Sequence, residues 1–137
     1  MKTYTREFPI RIHDVDAAGI VFFATYLVLW HDVYEAFLAD IGHSIPDAIA
    51  KGEYIIPIKR CEAEYHRPMR HGEIITAQLR LTELRGSSFV VVTDFIGADL
   101  VNRATITTRH VCVGSRPMKP VPVPEDLRTA LEPYLGQ

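Results

Sequence analysis

The chain has 137 residues, 47% of them apolar and 23% charged, and 15 Lys+Arg against 17 Asp+Glu leave a formal net charge of −2. That composition fits one globular domain and excludes a disordered or fibrous chain. So even a charge balance argues against a general nucleic-acid binder.

In chain order, Tyr4 to His13 alternates, with Phe8, Ile10 and Ile12 on one face and Arg11 and His13 on the other. This predicts a half-buried strand in which Pro9 points to an edge position or an irregularity. Asp14 to Gly19 reads as a turn, with acidic side chains and a glycine free to take positive φ. From Ala24 to Ile41 the pattern becomes helical, because Leu27, Trp30, Tyr34, Phe37 and Ile41 recur at steps of three and four. Tyr26, Leu29 and Val33 widen the apolar arc, so the helix is expected to be enveloped, with Gly42 as its stop. Ser44 to Lys51 suits a short helix with Pro46 near its start.

Four β-like segments follow, Tyr54 to His66, Glu73 to Leu84, Ser88 to Gly97 and Leu100 to Val113, and they are expected in hairpin succession. Phe89 to Val92 is apolar on both faces, which predicts a strand covered on both sides. Five of the nine prolines lie beyond Arg116 and mark a covering tail, with a last short helix over Glu125 to Leu135 interrupted by Pro133. The expected fold is α+β, with one antiparallel sheet packed on one long helix. The back of that sheet should be apolar and therefore covered by further copies of the chain. Cys61 and Cys112 are too few for a disulfide framework and read as small core residues. Met1 to Arg11 lacks a secretory h-region, and the longest apolar stretch, Ile20 to Trp30, is too short to span a membrane. These features predict a cytoplasmic protein with reduced thiols, no membrane partner and no nucleic-acid partner.

The chemistry concentrates in Ile12 to Leu38. Two carboxylates precede a small-residue turn, and the following residues bring free N–H groups to the start of a helix, where negative charge is favoured. A carboxylate close to an oxyanion site suits thioester hydrolysis, in which the thiolate leaves easily. Taken by themselves, Asp14 and Asp16 read as turn or capping residues rather than catalysts. His31 and Glu35 have the i, i+4 spacing of metal ligands, but no third ligand accompanies them, and no metal or other cofactor is expected.

The run Asp14, Asp16, Gly19, Ile20, Val21, Phe22, Phe23 and Tyr26 resembles the D-x-D-x-x-G-[IV]-V motif of hotdog-fold acyl-CoA thioesterases of the 4-hydroxybenzoyl-CoA thioesterase type. The resemblance in element order extends to about Val113. It implies a hotdog fold, an antiparallel sheet wrapped around one long central helix, in a single domain over 1–137. It also implies that Asp16 is the nucleophile or general base and that the Phe23 backbone N–H binds the thioester oxygen. Asp14 is then a turn residue. Gly19, Val21 and Phe22 belong to the substrate site, although at most one of Phe22 and Phe23 should face it. Arg85 occupies the position of a basic phosphate-binding loop, and Arg60, Arg67, Arg70 and His71 offer another cradle for coenzyme A phosphates. Asp32 and Glu35 are the alternative carboxylates on the helix. His31 to Glu35 and Arg109 to Val113 resemble the 1,4-dihydroxy-2-naphthoyl-CoA thioesterase branch, which belongs to quinone biosynthesis. The implied substrate is thus an aromatic acyl-CoA, acted on by a homo-oligomer, a dimer of dimers, with each site shared between two chains. A short- or medium-chain acyl-CoA thioesterase and a non-enzymatic acyl-CoA binding hotdog module are the alternatives.

Overall fold

A computed structural model of the chain describes residues 1–136. The chain enters through an edge strand, β1 (Tyr4–Pro9), shorter than the alternating pattern predicts. Beyond Pro9 a 3-10 turn over Ile12–Asp14 rotates the chain, so Ile10 is buried while Ile12 is exposed. Helix α1 (Thr25–Asp40) is the longest helix among the described residues, and its 16 residues correspond to about 24 Å. It ends in a Schellman motif: Gly42 adopts φ +87°, and the N–H groups of Gly42 and His43 donate to the carbonyls of Ala39 and Leu38. Helix α2 (Ile45–Lys51) follows, with Ser44 Oγ accepting from the Asp47 N–H.

The strands are β2 (Tyr54–Ile55), β3 (Ile58–Tyr65), β4 (Ile74–Leu84), β5 (Ser88–Gly97), β6 (Asn102–Val111) and β7 (Val113–Gly114). Five form an antiparallel sheet in the order β1-β4-β5-β6-β3, while β2 pairs with β7. The β4–β5 and β5–β6 hairpins match expectation. The expected hairpin between β3 and β4 does not form, because β1 and β5 occupy both edges of β4 and β3 crosses over to pair with β6. Lys59, Arg60, Glu62 and Glu64 make β3 suited to an edge rather than an interior position. Helix α3 (Glu125–Leu131) buries Leu127 and Leu131, as the proline-rich tail suggests, and a 3-10 turn over Glu132–Tyr134 follows it at Pro133.

One sheet face meets α1. Ile75, Ala77, Leu79 and Leu81 of β4 and Phe89, Val91 and Phe95 of β5 pack against Trp30, Val33, Phe37 and their neighbours. The Trp30 indole N–H reaches Thr93 Oγ1 at 3.1 Å, which satisfies both polar groups in the core. Contrary to expectation, α1 is not enveloped: Leu27 and Val28 are exposed, because this chain covers only the face toward the sheet. The far face of the sheet also departs from expectation. Val90 and Val92 are buried, but Arg80, Glu83, Thr107 and Arg109 on the flanking strands lie beside them, so this face is not an apolar surface seeking cover. Cys112 is buried, and burial pushes its thiol up to about 11. Cys61, expected in the core, is exposed on the open edge strand.

Candidate active site

The segment between β1 and α1 is held by its own polar groups. Asp14 is buried, and its Oδ2 accepts the Arg11 N–H at 2.8 Å. That makes it the structural turn residue. Asp16 is exposed; its Oδ1 accepts the Ala18 N–H at 2.8 Å, while its carbonyl accepts the Gly19 N–H at 3.0 Å. Its second carboxylate oxygen has no intramolecular donor among the described residues. Gly19 adopts φ +78°, and a Cβ there would meet nothing within 4 Å, so the glycine serves backbone conformation rather than close packing. The Val21 N–H donates to the Met69 carbonyl at 2.9 Å, tying the loop to the β3–β4 connection.

Phe22 and Phe23 remain 48% and 62% exposed, with ring centroids 4.7 Å apart. Helix α1 begins without a side-chain cap and without an acidic residue in its first turn. The Phe23 N–H has no intramolecular acceptor among the described residues, while its carbonyl accepts the Tyr65 hydroxyl at 2.9 Å. Positive electrostatic potential at this helix end is therefore left for an external oxygen.

Asp16, Val21, Phe22, Phe23, Tyr65 and Arg67 line one cleft of about 440 Å³. Both phenylalanines face it, because the turn before α1 leaves their side chains uncovered. Gly19 shapes the loop without lining the cleft. Tyr26 of the motif also lies on the cleft wall, as do Tyr65 and His66, which lie outside the site residues expected from the sequence. Tyr26 and Tyr65 meet edge to face at 4.8 Å, and His66 Nε2 lies 3.0 Å from Thr105 Oγ1. The sequence signal for Tyr65 and His66 is a Tyr-His-Arg-Pro run at the end of an exposed strand, whereas Tyr26 stands in the family motif itself.

The other candidates lie elsewhere. Arg85 sits in the β4–β5 turn, ion-paired with Glu83 at 2.8 Å. Phe95, which packs on Tyr26 at the cleft, is seven strand residues beyond Ser88, or roughly 23 Å away. Within one chain Arg85 and Asp16 therefore lie toward opposite ends of the sheet. Arg60 pairs with Glu62 at 2.6 Å. Of the expected basic cradle, only Arg67 lines the cleft. Asp32 and Glu35 lie on the exposed face of α1, outside the cleft. His31 Nδ1 and Glu35 Oε1 are 3.7 Å apart, and no third ligating side chain joins them among the described residues. His110 is buried against Phe89 and Tyr34, and burial, with a smaller contribution from His31, pushes its pKa down to about 3.

The sequence and the fold have counterparts among known proteins. Residues 10–131 match the model of the thioesterase-like superfamily. The chain belongs to that family. It is 33% identical over 119 residues to a 1,4-dihydroxy-2-naphthoyl-CoA hydrolase of Microcystis aeruginosa, covering 87% of this chain and 86% of that protein. A protein of the same name from Synechococcus elongatus is 34% identical over 134 residues, covering 96% and 97%. The structure is also similar to that of a 1,4-dihydroxy-2-naphthoyl-CoA thioesterase from Synechocystis. The TM-score is 0.89, with 26% identity and coverage of 95% and 96%. The Dynemicin thioesterase shares the fold at a TM-score of 0.89 and 22% identity, over 99% of both chains.

Proposed function

We propose that this member of the thioesterase-like superfamily hydrolyses an aromatic acyl-CoA, with 1,4-dihydroxy-2-naphthoyl-CoA ahead of 4-hydroxybenzoyl-CoA, to the free acid and coenzyme A. The observation that carries the reading is one cleft holding both a carboxylate oxygen without a protein partner and an unpartnered N–H at a helix start. The names of the relatives support the substrate class.

In this mechanism the Phe23 N–H holds the thioester oxygen as negative charge develops on it. Asp16 attacks the carbonyl or removes a proton from the attacking water, and the C–S bond breaks to release the coenzyme A thiolate. Water supplies the hydroxyl of the acid and the proton that the thiolate takes up. Tyr65 fixes the peptide that follows the Phe23 N–H through its bond to the Phe23 carbonyl. Arg67 provides a cation for the coenzyme A phosphates at the same cleft. Exposed Phe22 and Phe23 offer flat apolar surface to an aromatic acyl group.

The same reading makes 1–137 one hotdog domain whose sheet curves around α1 as its central helix. The common core of α1 and sheet residues supports it. The working unit is a dimer or dimer of dimers, supported by the exposed Phe22, Phe23 and Val28 and by the unpaired edge of β3. Two free cysteines fit a reducing cytoplasm.

The test is release of free thiol from naphthoyl-, benzoyl- and medium-chain acyl-CoA by the wild type and by Asp16→Asn. The variant should keep the fold and lose at least about 10²-fold in turnover. Retention of most activity would move the assignment to Asp32 or Glu35.

A further inference from the structure

A chain of hydrogen bonds runs from the back of the sheet to the cleft and ends on His66. Asp94 of β5 accepts from Arg80 Nη1 at 3.3 Å, from Asn102 Nδ2 at 3.0 Å and from the Thr105 hydroxyl at 2.6 Å. Thr105 Oγ1 in turn meets Asn102 Nδ2 at 3.1 Å and His66 Nε2 at 3.0 Å. None of these groups has a part in the mechanism above, yet His66 lines the same cleft as Asp16.

The network fixes the direction of each bond in it. The Ala104 N–H can only donate, and Asn102 Oδ1 accepts it at 3.1 Å, so Asn102 Nδ2 is the donor toward Asp94 and Thr105. A carboxylate only accepts, so the single hydroxyl proton of Thr105 goes to Asp94. Thr105 Oγ1 is left with lone pairs toward the imidazole, and His66 Nε2 must carry the proton between them. In the neutral ring Nδ1 is therefore bare, and this acceptor has no partner among the described residues. The His66 and Arg67 N–H groups donate to the Arg103 carbonyl at 2.8 and 3.0 Å, so backbone and ring are both tied to β6.

An acyl-CoA thioester reaches the cleft on a long arm, and between its sulfur and its phosphates that arm carries secondary amides. An amide N–H withdrawn from water needs an acceptor. Along the cleft wall Asp16 is given to the thioester and Arg67 only donates, whereas the Tyr26 and Tyr65 hydroxyls are engaged with the Met69 N–H and the Phe23 carbonyl. His66 Nδ1 is the side-chain acceptor that remains, and it stands next in sequence to the cation offered to the phosphates.

We propose that His66 is a specificity-determining residue that accepts an amide N–H of the coenzyme A arm at Nδ1, in a tautomer fixed by Thr105, Asn102 and Asp94. The proposal rests on the acyl-CoA thioesterase reading, and its test separates the two.

His66→Gln keeps a donor for Thr105 while removing Nδ1, and His66→Asn keeps an acceptor in the place of Nδ1. Each is assayed on two 2-naphthoyl thioesters, one of pantetheine, which retains the amides, and one of 2-methoxyethanethiol, which has no N–H. His66→Gln should raise KM about tenfold for the pantetheine ester with kcat little changed, the loss of one hydrogen bond made equally in ground and transition states. His66→Asn should recover most of that loss, and neither variant should alter the methoxy ester. Wild-type behaviour of His66→Gln on both esters would reduce His66 to a structural partner of Thr105 and overturn the proposal. An equal fall in kcat on both esters would make His66 a base and overturn it as well. Free pantetheine, which undergoes no turnover, should move the NMR resonance of wild-type His66 Nδ1, and an unmoved Nδ1 also counts against it. If pantetheine moves Nδ1 but the wild type releases no thiol from any acyl-CoA, the underlying reading alone fails.

Discussion

Asp14 and Asp16 sit two positions apart, yet Asp14 gives its carboxylate to the Arg11 N–H while Asp16 keeps one oxygen outside any intramolecular bond among the described residues. The contrast follows from the 3-10 turn, which carries Asp14 inward and leaves Asp16 on the cleft. Tyr65 supports the same site through the Phe23 carbonyl, so Tyr65→Phe should reduce kcat about two- to tenfold with KM little changed. Gly19→Ala places a side chain at φ +78° with no packing to offset the strain. A loss of about 1 kcal/mol in urea unfolding, together with reduced activity, is expected. His110 tests the core. Its pKa is about 3 in the folded protein and near 6.5 when unfolded, so the unfolded state binds more protons at intermediate pH. The contribution is fully favourable above pH 6.5 and is lost as the pH falls toward 3. Melting curves from pH 7 to pH 4 should drop less steeply for His110→Phe than for the wild type.

At the scale of elements, the cleft depends on how the β3–β4 connection is anchored. Arg103 of β6 is nearly buried, pairs with Glu73 at 2.7 Å and Asp99 at 3.0 Å, and accepts the His66 and Arg67 N–H groups at its carbonyl. Glu73 in turn accepts the Arg70 N–H at 2.6 Å. Arg103→Leu leaves the Glu73 carboxylate partly buried without its cation, and equilibrium unfolding should show a loss of about 3 kcal/mol. The order β1-β4-β5-β6-β3 also explains why β3 carries Arg60, Glu62 and Glu64 at alternate positions and is exposed along most of its length: it is the last strand on its side. Local alternation identifies a strand but carries no information about its neighbours, so the pairing of β3 with β6 was not legible from hairpin spacing.

At the scale of the whole molecule, the case for assembly moves from the back of the sheet to its front and its open edge. Arg80 pairs with Asp94 at 3.3 Å and Arg109 pairs with Glu83 on the back, so charge satisfies charge within one chain there. The exposed Phe22, Phe23, Leu27 and Val28 lie together in sequence at the start of α1. Sedimentation of the active protein should give a dimer or a larger species. A fully active particle of 15.5 kDa would refute a shared site.

The sequence alone determined what depends on neighbours in the chain. The Asp-x-Asp turn with its positive-φ glycine, the register of α1 with its glycine stop, the boundaries of β5 and the family motif all follow from local backbone chemistry and periodic burial. Only the tertiary structure decided what depends on distant segments. It brought Tyr65, His66 and Arg67 to the same cleft as Asp16, carried Arg85 and Arg60 away from it, exposed Leu27 and Cys61, and left the Tyr34 hydroxyl unpaired in an apolar hollow. Side-chain periodicity specifies which face of an element is apolar, whereas the sheet order specifies what that face meets.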